Sequence, residues 1–305
     1  MTPSNNLALL FPGQGAQDPA ILDGVRHSDL YQMRYQVVCD ALGDDPLKKM
    51  QNDFRYIHQN HVSSLLTILA STISLQDFLD SSGQEPDFLA GYSVGQWTTL
   101  YAAESICFEE LVRIVLRRCE LMDECAVKAP GGMLAVIGLE RSLVEEICEN
   151  LRSEGHSIHV ANYNSLGQYS LSGTEQALEA AAGPLEAVNP KKLVKLPVTG
   201  PWHCPLLEDA SRRFRQFLET CEIHSPKKKI IDNVTGNFLP TDRVPLFDQL
   251  ALHLYRPVLW EDGIRELVAS GCSELIEIGY GNVLTKFGFF IDRSAAHSSF
   301  YSSRN

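Results

Sequence analysis

The pentapeptide Gly91-Tyr92-Ser93-Val94-Gly95 is the segment with the clearest chemical meaning in this sequence. A serine nucleophile on a tight strand-to-helix turn needs small residues two positions before and after it, because the backbone there is strained and closely packed. An apolar run precedes the pentapeptide and a helical pattern follows it. Ser93 is therefore predicted to be a nucleophile, with the N–H of Val94 as an oxyanion donor. The alternative is a serine that caps a helix between two turn glycines.

A serine of ordinary pKa needs a base, and His203 is the most suitable of nine histidines. It lies in the segment Pro201-Trp202-His203-Cys204-Pro205, where two prolines restrict the backbone on either side. Such a loop suits an imidazole that must be held still. A histidine that merely occupies a rigid turn gives the same pattern, so the residues alone leave both interpretations open.

The opening turn, Pro12-Gly13-Gln14-Gly15, offers a further donor. Two glycines around Gln14 allow its backbone N–H to approach a ligand closely, which would supply a second oxyanion contact. A phosphate-binding loop is excluded because no Gly-Lys-Ser/Thr follows. A plain tight turn is the alternative.

The composition limits the kinds of protein that could carry these residues. Lys and Arg number 26 against 38 Asp and Glu, and the resulting formal charge of −12 argues against a general nucleic-acid binder. No run reaches the roughly 18 consecutive apolar residues of a membrane helix, and the N-terminus does not resemble a secretory signal. Eight scattered cysteines without a CxxC pair indicate reduced thiols. We therefore expect a cytoplasmic protein with no membrane contact and no bound metal.

Short apolar runs alternate with longer helical patterns, which is typical of an α/β fold with a largely parallel sheet. Residues 131–198 differ, because their order β-α-β-β-α-β is that of a ferredoxin-like unit. The sequence thus predicts a parallel-sheet domain formed by residues 1–130 and 199–305, with an inserted ferredoxin-like (βαββαβ) subdomain at residues 131–198. The polar tail His297–Asn305 is expected to fray.

Taken in chain order, these motifs resemble the malonyl-CoA:acyl-carrier-protein transacylase family, which includes the acyltransferase domains of polyketide synthases. The resemblance covers nearly the whole chain, and several motifs in the right order are far more specific than one. The matching segments are Leu10–Gln17, Ala90–Gln96, Gly132–Leu139, Asn162–Ser165, Pro197–Cys204, Asp232–Thr235, Leu254–Val258 and Glu277–Gly279.

The resemblance implies a hydrolase-like α/β domain and a Ser93–His203 dyad without a third carboxylate, with Gln14 and Val94 as oxyanion donors. It implies a ping-pong reaction in which Ser93 takes an acyl group from coenzyme A and passes it to the phosphopantetheine thiol of an acyl carrier protein. Acyl-CoA is then a substrate, and no bound cofactor is expected. The implied partners are malonyl-CoA and a carrier protein, and the enzyme would act as a monomer in fatty-acid, polyketide or malonate-decarboxylase metabolism.

Arg118 matches the family arginine that pairs with the free carboxylate of a malonyl group. A guanidinium can grip a carboxylate bidentately, and a buried arginine without an anion would be costly, so the residue predicts a dicarboxylic acyl group. Helical phase with Ile114 and Leu121 favours Arg118 over Arg117 as the inward-facing residue. A solvated arginine pair is the alternative.

The chain departs from the family pattern at several positions, where Tyr92 replaces His, Gln96 replaces Glu, Cys119 replaces Gly and His253 replaces Gln. The resemblance implies that His253 holds His203 through its backbone carbonyl. It also places Asn162 and Trp202 at the acyl pocket. The bulky Trp202 favours unsubstituted malonyl, although a transferase for an unusual extender unit stays open.

Two other functions are compatible with the same motifs. An acyl hydrolase that releases acyl groups from carrier proteins would share the fold and dyad, but Arg118 argues against it. A docking module with an inactive site would not need Ser93, His203 and Arg118 together. Because carrier proteins are acidic, a basic patch should bind them, and the candidates are Lys191, Lys192, Lys195 and the run Lys227–Lys229.

Overall fold

The computed structural model describes residues 6–15 and 17–301. Its strands form two sheets, one from the predicted parallel-sheet domain and one from the predicted ferredoxin-like subdomain. The strands are β1 (Asn6–Phe11), β2 (Phe88–Gly91), β3 (Gly131–Ile137), β4 (Ile158–Ser165), β5 (Gln168–Thr174), β6 (Lys192–Lys195), β7 (Lys229–Ile231), β8 (Cys272–Ile278) and β9 (Ala296–Phe300). The α-helices are α1 (Tyr31–Leu42), α2 (Pro46–Asn52), α3 (Asn60–Ser82), α4 (Gly95–Ala102), α5 (Phe108–Lys128), α6 (Arg141–Ser153), α7 (Glu175–Ala187), α8 (Glu208–Leu218), α9 (Arg243–Leu252), α10 (Trp260–Ala269) and α11 (Val283–Ile291).

The larger sheet has the strand order β7-β2-β1-β8-β9, and each neighbouring pair is parallel. Strands β1 and β2 are almost continuously apolar because both faces of the sheet are covered. Alternate residues of β1 point to opposite faces, so Leu9 and Phe11 join one core and Leu10 joins another. The predicted parallel-sheet α/β architecture is confirmed.

Helix α3 is the central helix of the larger core. Its length and apolar composition would suffice for a membrane span, but 83% of its most apolar window is buried inside the protein. That burial identifies α3 as a core helix. It also positions the polar residues of its first turn, which contact the candidate site described below.

The smaller sheet has the order β4-β5-β3-β6 and is antiparallel throughout. Helices α6 and α7 contact each other and pack on these strands around a separate core that includes Val136, Ile158 and Leu171. This strand order, with its two helices, is that of a ferredoxin-like unit and confirms the predicted β-α-β-β-α-β arrangement.

Backbone hydrogen bonds join the smaller sheet to a loop that follows α9. The N–H of Val258 donates to the carbonyl of Ala161 (2.8 Å), and the N–H of Tyr163 donates back to the carbonyl of Val258 (2.9 Å). Asn162 therefore forms an isolated parallel bridge with Val258. The smaller sheet is thus fixed to the loop between α9 and α10, close to the candidate site.

The prediction of a frayed tail is wrong for its described part. Residues Ala296–Phe300 form β9, which pairs with β8 along five residues. Phe300 packs edge-on against Phe78, with ring centroids 5.4 Å apart, and the Tyr301 hydroxyl donates to the carbonyl of Ile21 (2.8 Å). Backbone pairing and these contacts hold a segment whose composition is polar. Residues 302–305 lie outside the described residues.

Several boundaries also differ from the patterns. The pattern of residues 192–198 predicts one strand, but β6 ends at Lys195, since Pro197 cannot donate to a ladder. The pattern predicts a helix around Asp248–Tyr255, but α9 spans Arg243–Leu252.

Candidate active site

The carboxyl edge of the parallel sheet brings together residues that are far apart in the sequence. Strand β1 leads into Gln14, β2 leads into Ser93, and β7 leads into Asn233. Because parallel strands end at the same edge, their following loops meet in one place, where open α/β sheets commonly bind ligands. The candidate site lies at this edge and faces the smaller sheet.

Ser93 occupies a sharp turn between β2 and α4, and its φ is +51°. Non-glycine residues rarely adopt this conformation, and its cost is tolerated mainly at functional sites. A Cβ at Gly91 would collide with the backbone of Gly95, and one at Gly95 would collide with the carbonyl of Phe11. The two glycines therefore allow the strand and helix to cross closely enough to present Ser93, and α4 starts immediately behind it.

The imidazole of His203 lies beside this serine. Its Nε2 is 2.8 Å from Ser93 Oγ, and its Nδ1 is 2.9 Å from the backbone carbonyl of His253. Because a carbonyl can only accept, Nδ1 carries the proton and Nε2 is free to accept from the serine hydroxyl. His203 also has a positive φ, of +57°. The backbone is thus strained at both members of the pair.

The pKa of His203 is lowered to about 3, first by burial and then by the nearby positive charge of Arg118. Burial also lowers the pKa of His253, with further contributions from His203 and Arg118. Both imidazoles are therefore neutral near neutral pH, which is the state in which His203 can accept a proton.

Two backbone N–H groups are available beside Ser93. The N–H groups of Val94 and Gln14 have no acceptor among residues 6–15 and 17–301. The side chain of Gln14 is fixed by the first turn of α3, where its Nε2 lies within hydrogen-bond distance of the Asn60 carbonyl (3.0 Å), Ser63 Oγ (2.6 Å) and Ser64 Oγ (2.9 Å). These contacts immobilise the loop that carries the Gln14 N–H.

Arg118 reaches the site from α5 and is completely buried. Its Nη2 lies 3.4 Å from Ser93 Oγ, while Nε and Nη1 are buried without a partner among the described residues. Burial lowers the pKa of this guanidinium, although arginine keeps its charge in proteins. Its neighbour Arg117 instead pairs with Glu120 at 2.7 Å near the surface, as helical phase predicted. A buried cation with free donors beside the nucleophile is well suited to an anionic substrate group.

A cleft of about 260 Å³ lies between the two sheets next to this site. Its lining includes the opening turn, Tyr92, strands β3 and β5, the segment after β6 and the start of α11. The hydroxyl of Tyr92 donates to Asn164 Oδ1 (2.6 Å), so a residue of the nucleophile turn contacts the smaller sheet directly. The lining is mostly apolar, which suits a ligand that carries a methylene chain.

Two of the residues expected at the acyl pocket lie at the edge of the site. Trp202 is buried, stacks over Gly200 beside Ala126, and lines a small void together with Gln14 and Asn60. Asn162 is buried in β4 at the bridge to Val258. Within the described part of the chain, none of the hydrogen bonds joins either side chain to Ser93 or His203.

Asn233 is the site residue that sequence reasoning missed. Its side chain contacts Ser93, Gly91 and His253 through hydrogen bonds, and it is 1% exposed. The segment Asp232–Thr235 had been recognised as a motif, but no role followed from its residue types. Its position directly after a short apolar run was the available signal, but the sequence does not show that the strand formed by this run, β7, lies beside β2.

Comparison with known proteins places the chain among acyl transferases, in agreement with the geometry of the site. The family model for the acyl transferase domain matches residues 49–288. The chain is 30% identical over 280 residues to the malonyl CoA-acyl carrier protein transacylase of Salmonella typhimurium, covering 91% of this chain and 90% of that protein.

Two solved structures show the likeness in three dimensions. The malonyl CoA-acyl carrier protein transacylase of Coxiella burnetii superposes with a TM-score of 0.92 at 28% identity, covering 99% of this chain and 96% of that one. A malonyl-transacylase in complex with its type II polyketide synthase acyl-carrier protein gives a TM-score of 0.87 at 27% identity, covering 96% and 94%.

Proposed function

The chain belongs to the acyl transferase domain family, and from that premise we propose that it moves a malonyl group from coenzyme A to the thiol of an acyl carrier protein. The observation that carries the proposal is the buried guanidinium of Arg118. Its Nη2 lies 3.4 Å from Ser93 Oγ, and its Nε and Nη1 have no partner among the described residues. A carboxylate in this position would satisfy these donors and neutralise the charge. The site thus prefers an acyl group that carries a free carboxylate, such as malonyl, over an acyl group without one.

In the first half-reaction Ser93 Oγ attacks the thioester carbonyl of malonyl-CoA. The serine proton passes to His203 Nε2, which lies 2.8 Å away, as the new C–O bond forms. The N–H groups of Gln14 and Val94 donate to the oxyanion of the tetrahedral intermediate. The C–S bond then breaks, and the imidazolium returns its proton to the departing thiolate, leaving a malonyl ester on Ser93.

The second half-reaction runs through the same atoms in reverse. His203 accepts the proton of the phosphopantetheine thiol, and the thiolate attacks the ester carbonyl. The C–O bond to Ser93 breaks, and the serine oxygen recovers its proton from His203. The reaction consumes no cofactor, since CoA and the carrier act only as acyl donor and acceptor. The His253 carbonyl holds His203 in the required tautomer in both directions.

The carrier protein would dock on the lysines near β6. Lys191, Lys192 and Lys195 are exposed on or beside this edge strand, which leads directly into cleft residues Leu196–Val198. A patch at the mouth of the cleft lets the flexible phosphopantetheine arm reach Ser93.

The second lysine run is less suitable. Lys229 pairs with the first residue of β2 and therefore lies at the amino edge of the sheet, opposite Ser93. Lys227 pairs with Glu104 (2.6 Å) and Lys228 with Glu85 (3.4 Å), so their charges are already balanced. We accordingly propose that the carrier docks at β6. We also propose that the enzyme is cytoplasmic and acts as a monomer.

Intact-protein mass spectrometry after mixing with acyl-CoAs tests the proposal. Malonyl-CoA should add one malonyl group to the unmodified protein and none to Ser93→Ala, while acetyl-CoA should add far less. Subsequent addition of holo carrier protein should move the group to the carrier. Release of free malonate with no transfer would instead identify a hydrolase. Equal labelling by acetyl and malonyl groups would contradict the role given to Arg118.

A further inference from the structure

One buried side-chain amide is hydrogen-bonded to Ser93 and to His253, the residue that supports His203. Asn233 Oδ1 accepts from the backbone N–H of Ser93 (2.9 Å) and lies 3.2 Å from His253 Nε2. Its Nδ2 donates to the carbonyl of Gly91 (2.6 Å). The same His253 accepts the Nδ1 proton of His203 at its backbone carbonyl. A closed ring of hydrogen bonds therefore runs from Ser93 through Asn233, His253 and His203 back to Ser93.

The donors and acceptors in this ring leave only one arrangement of protons. Because Gly91 offers a carbonyl, Asn233 must present its NH₂ there and its oxygen to Ser93 and His253. His253 therefore carries its proton on Nε2, and its buried Nδ1 has no partner within residues 6–15 and 17–301. His203 carries its proton on Nδ1. The two neighbouring histidines are held in opposite tautomers.

The ring also holds the two strained backbone positions. The Asn233 amide bonds to the backbone on both sides of Tyr92 and so restrains the turn in which Ser93 has a φ of +51°. Through His253 it restrains the partner of His203, whose φ is +57°. Asn233 is itself held by Gln96, whose Oε1 accepts its backbone N–H at 3.1 Å. No member of this ring carries a formal charge while both histidines are neutral.

We propose that Asn233 is the positioning residue of the dyad, which fixes the separation of Ser93 and His203 by bonding to the turn of one and the supporting residue of the other. It acts with His253 as a single unit, and it touches neither the acyl group nor the reacting atoms. The inference rests on the proposed function only in taking Ser93 and His203 as nucleophile and base. A displacement of about 1 Å in such a pair costs on the order of a hundredfold in rate.

The rate of Ser93 labelling by an uncharged fluorophosphonate probe tests this role without malonyl-CoA. Asn233→Ala should be labelled about a hundredfold more slowly than the unmodified protein. Ser211→Ala is the matched control, because it removes one buried hydrogen bond, to the Ala251 carbonyl (2.6 Å) of the same segment, but lies outside the ring. It should lose some stability and keep its labelling rate. Equal rates for Asn233→Ala and Ser211→Ala would overturn the proposal.

Steady-state kinetics then separates positioning from general damage. Asn233→Ala should lower kcat with KM for malonyl-CoA within about twofold, since the cleft and Arg118 are untouched. His253→Phe keeps the backbone carbonyl and removes the Nε2 donor, so the double variant should be hardly slower than Asn233→Ala. Losses that multiply in the double variant would show two independent effects and refute a shared unit.

Nitrogen-15 NMR of the unmodified protein supplies a test that needs no variant to fold. His203 should show a protonated Nδ1 and His253 a protonated Nε2 at neutral pH. The same tautomer at both residues would contradict the ring. Failure of the probe to label unmodified protein would instead refute the dyad itself, so the two failures are distinguishable.

Discussion

Replacing Arg118 with methionine should raise the pKa of His203 by about two units. Methionine fills a similar volume and removes the buried positive charge that Arg118 places beside the dyad. The guanidinium Nη2 lies 3.4 Å from Ser93 Oγ, which is 2.8 Å from His203 Nε2, so the two charges would be within about 6 Å. At an effective dielectric constant of about 20 they repel by about 3 kcal/mol, which corresponds to about two pKa units.

The direction of the change in the His203 pKa follows from the charges involved. Arg118 disfavours the imidazolium form, so His203 in the unmodified protein titrates at about 3 and stays neutral above that pH. Without the guanidinium the imidazolium is less disfavoured, and the midpoint should move to about pH 5. Only burial, the larger cause, then remains to depress the pKa.

The labelling rate of Ser93 by an uncharged fluorophosphonate measures this midpoint, because only neutral His203 can accept the serine proton. Arg118→Met should lose rate between about pH 6 and pH 4, whereas the unmodified protein should stay nearly constant there. Arg117→Met is the control, since Arg117 pairs with Glu120 at the surface and should not move the profile. Circular dichroism over the same range excludes unfolding. Identical profiles for Arg118→Met and the unmodified protein would refute the electrostatic reasoning.

Other perturbations test neighbouring parts of the site. Gly95→Ala should lower the free energy of unfolding by about 1–3 kcal/mol in urea titrations and slow Ser93 labelling, because the new methyl group meets the Phe11 carbonyl. Trp97→Ala should lower that free energy by about 3–5 kcal/mol, since the buried indole packs edge-on against Phe214 and His253. The pair Lys192→Glu and Lys195→Glu should raise KM for the carrier protein severalfold and leave KM for malonyl-CoA unchanged; an equal rise in both would exclude docking at β6.

Features that depend on local sequence were the ones that could be predicted. The glycines around Ser93 are required by a close backbone crossing, and the spacing of Ile114, Arg118 and Leu121 fixes which arginine faces inward. The alternation of residues 131–198 was likewise sufficient for the ferredoxin-like order.

Features that depend on distant contacts were not predictable. Asn233 bonds to a serine 140 residues away, and only the order of strands in the sheet brings the two together. Strand β9 is polar and has no periodic signal, and it exists because β8 offers an unpaired edge. Choosing His203 among nine histidines needed the family resemblance, since a rigid proline-flanked loop is no proof of chemistry.

The backbone hydrogen bonds on both sides of Val258 have a consequence for how thioesters enter. A hinge motion of the smaller sheet away from the loop between α9 and α10 would have to break them, and this loop also carries His253. The cleft between the sheets is therefore expected to keep the same width through the catalytic cycle. Donor and acceptor must then use the same aperture in turn, because the carrier thiol can attack only the malonyl ester that the donor has left on Ser93.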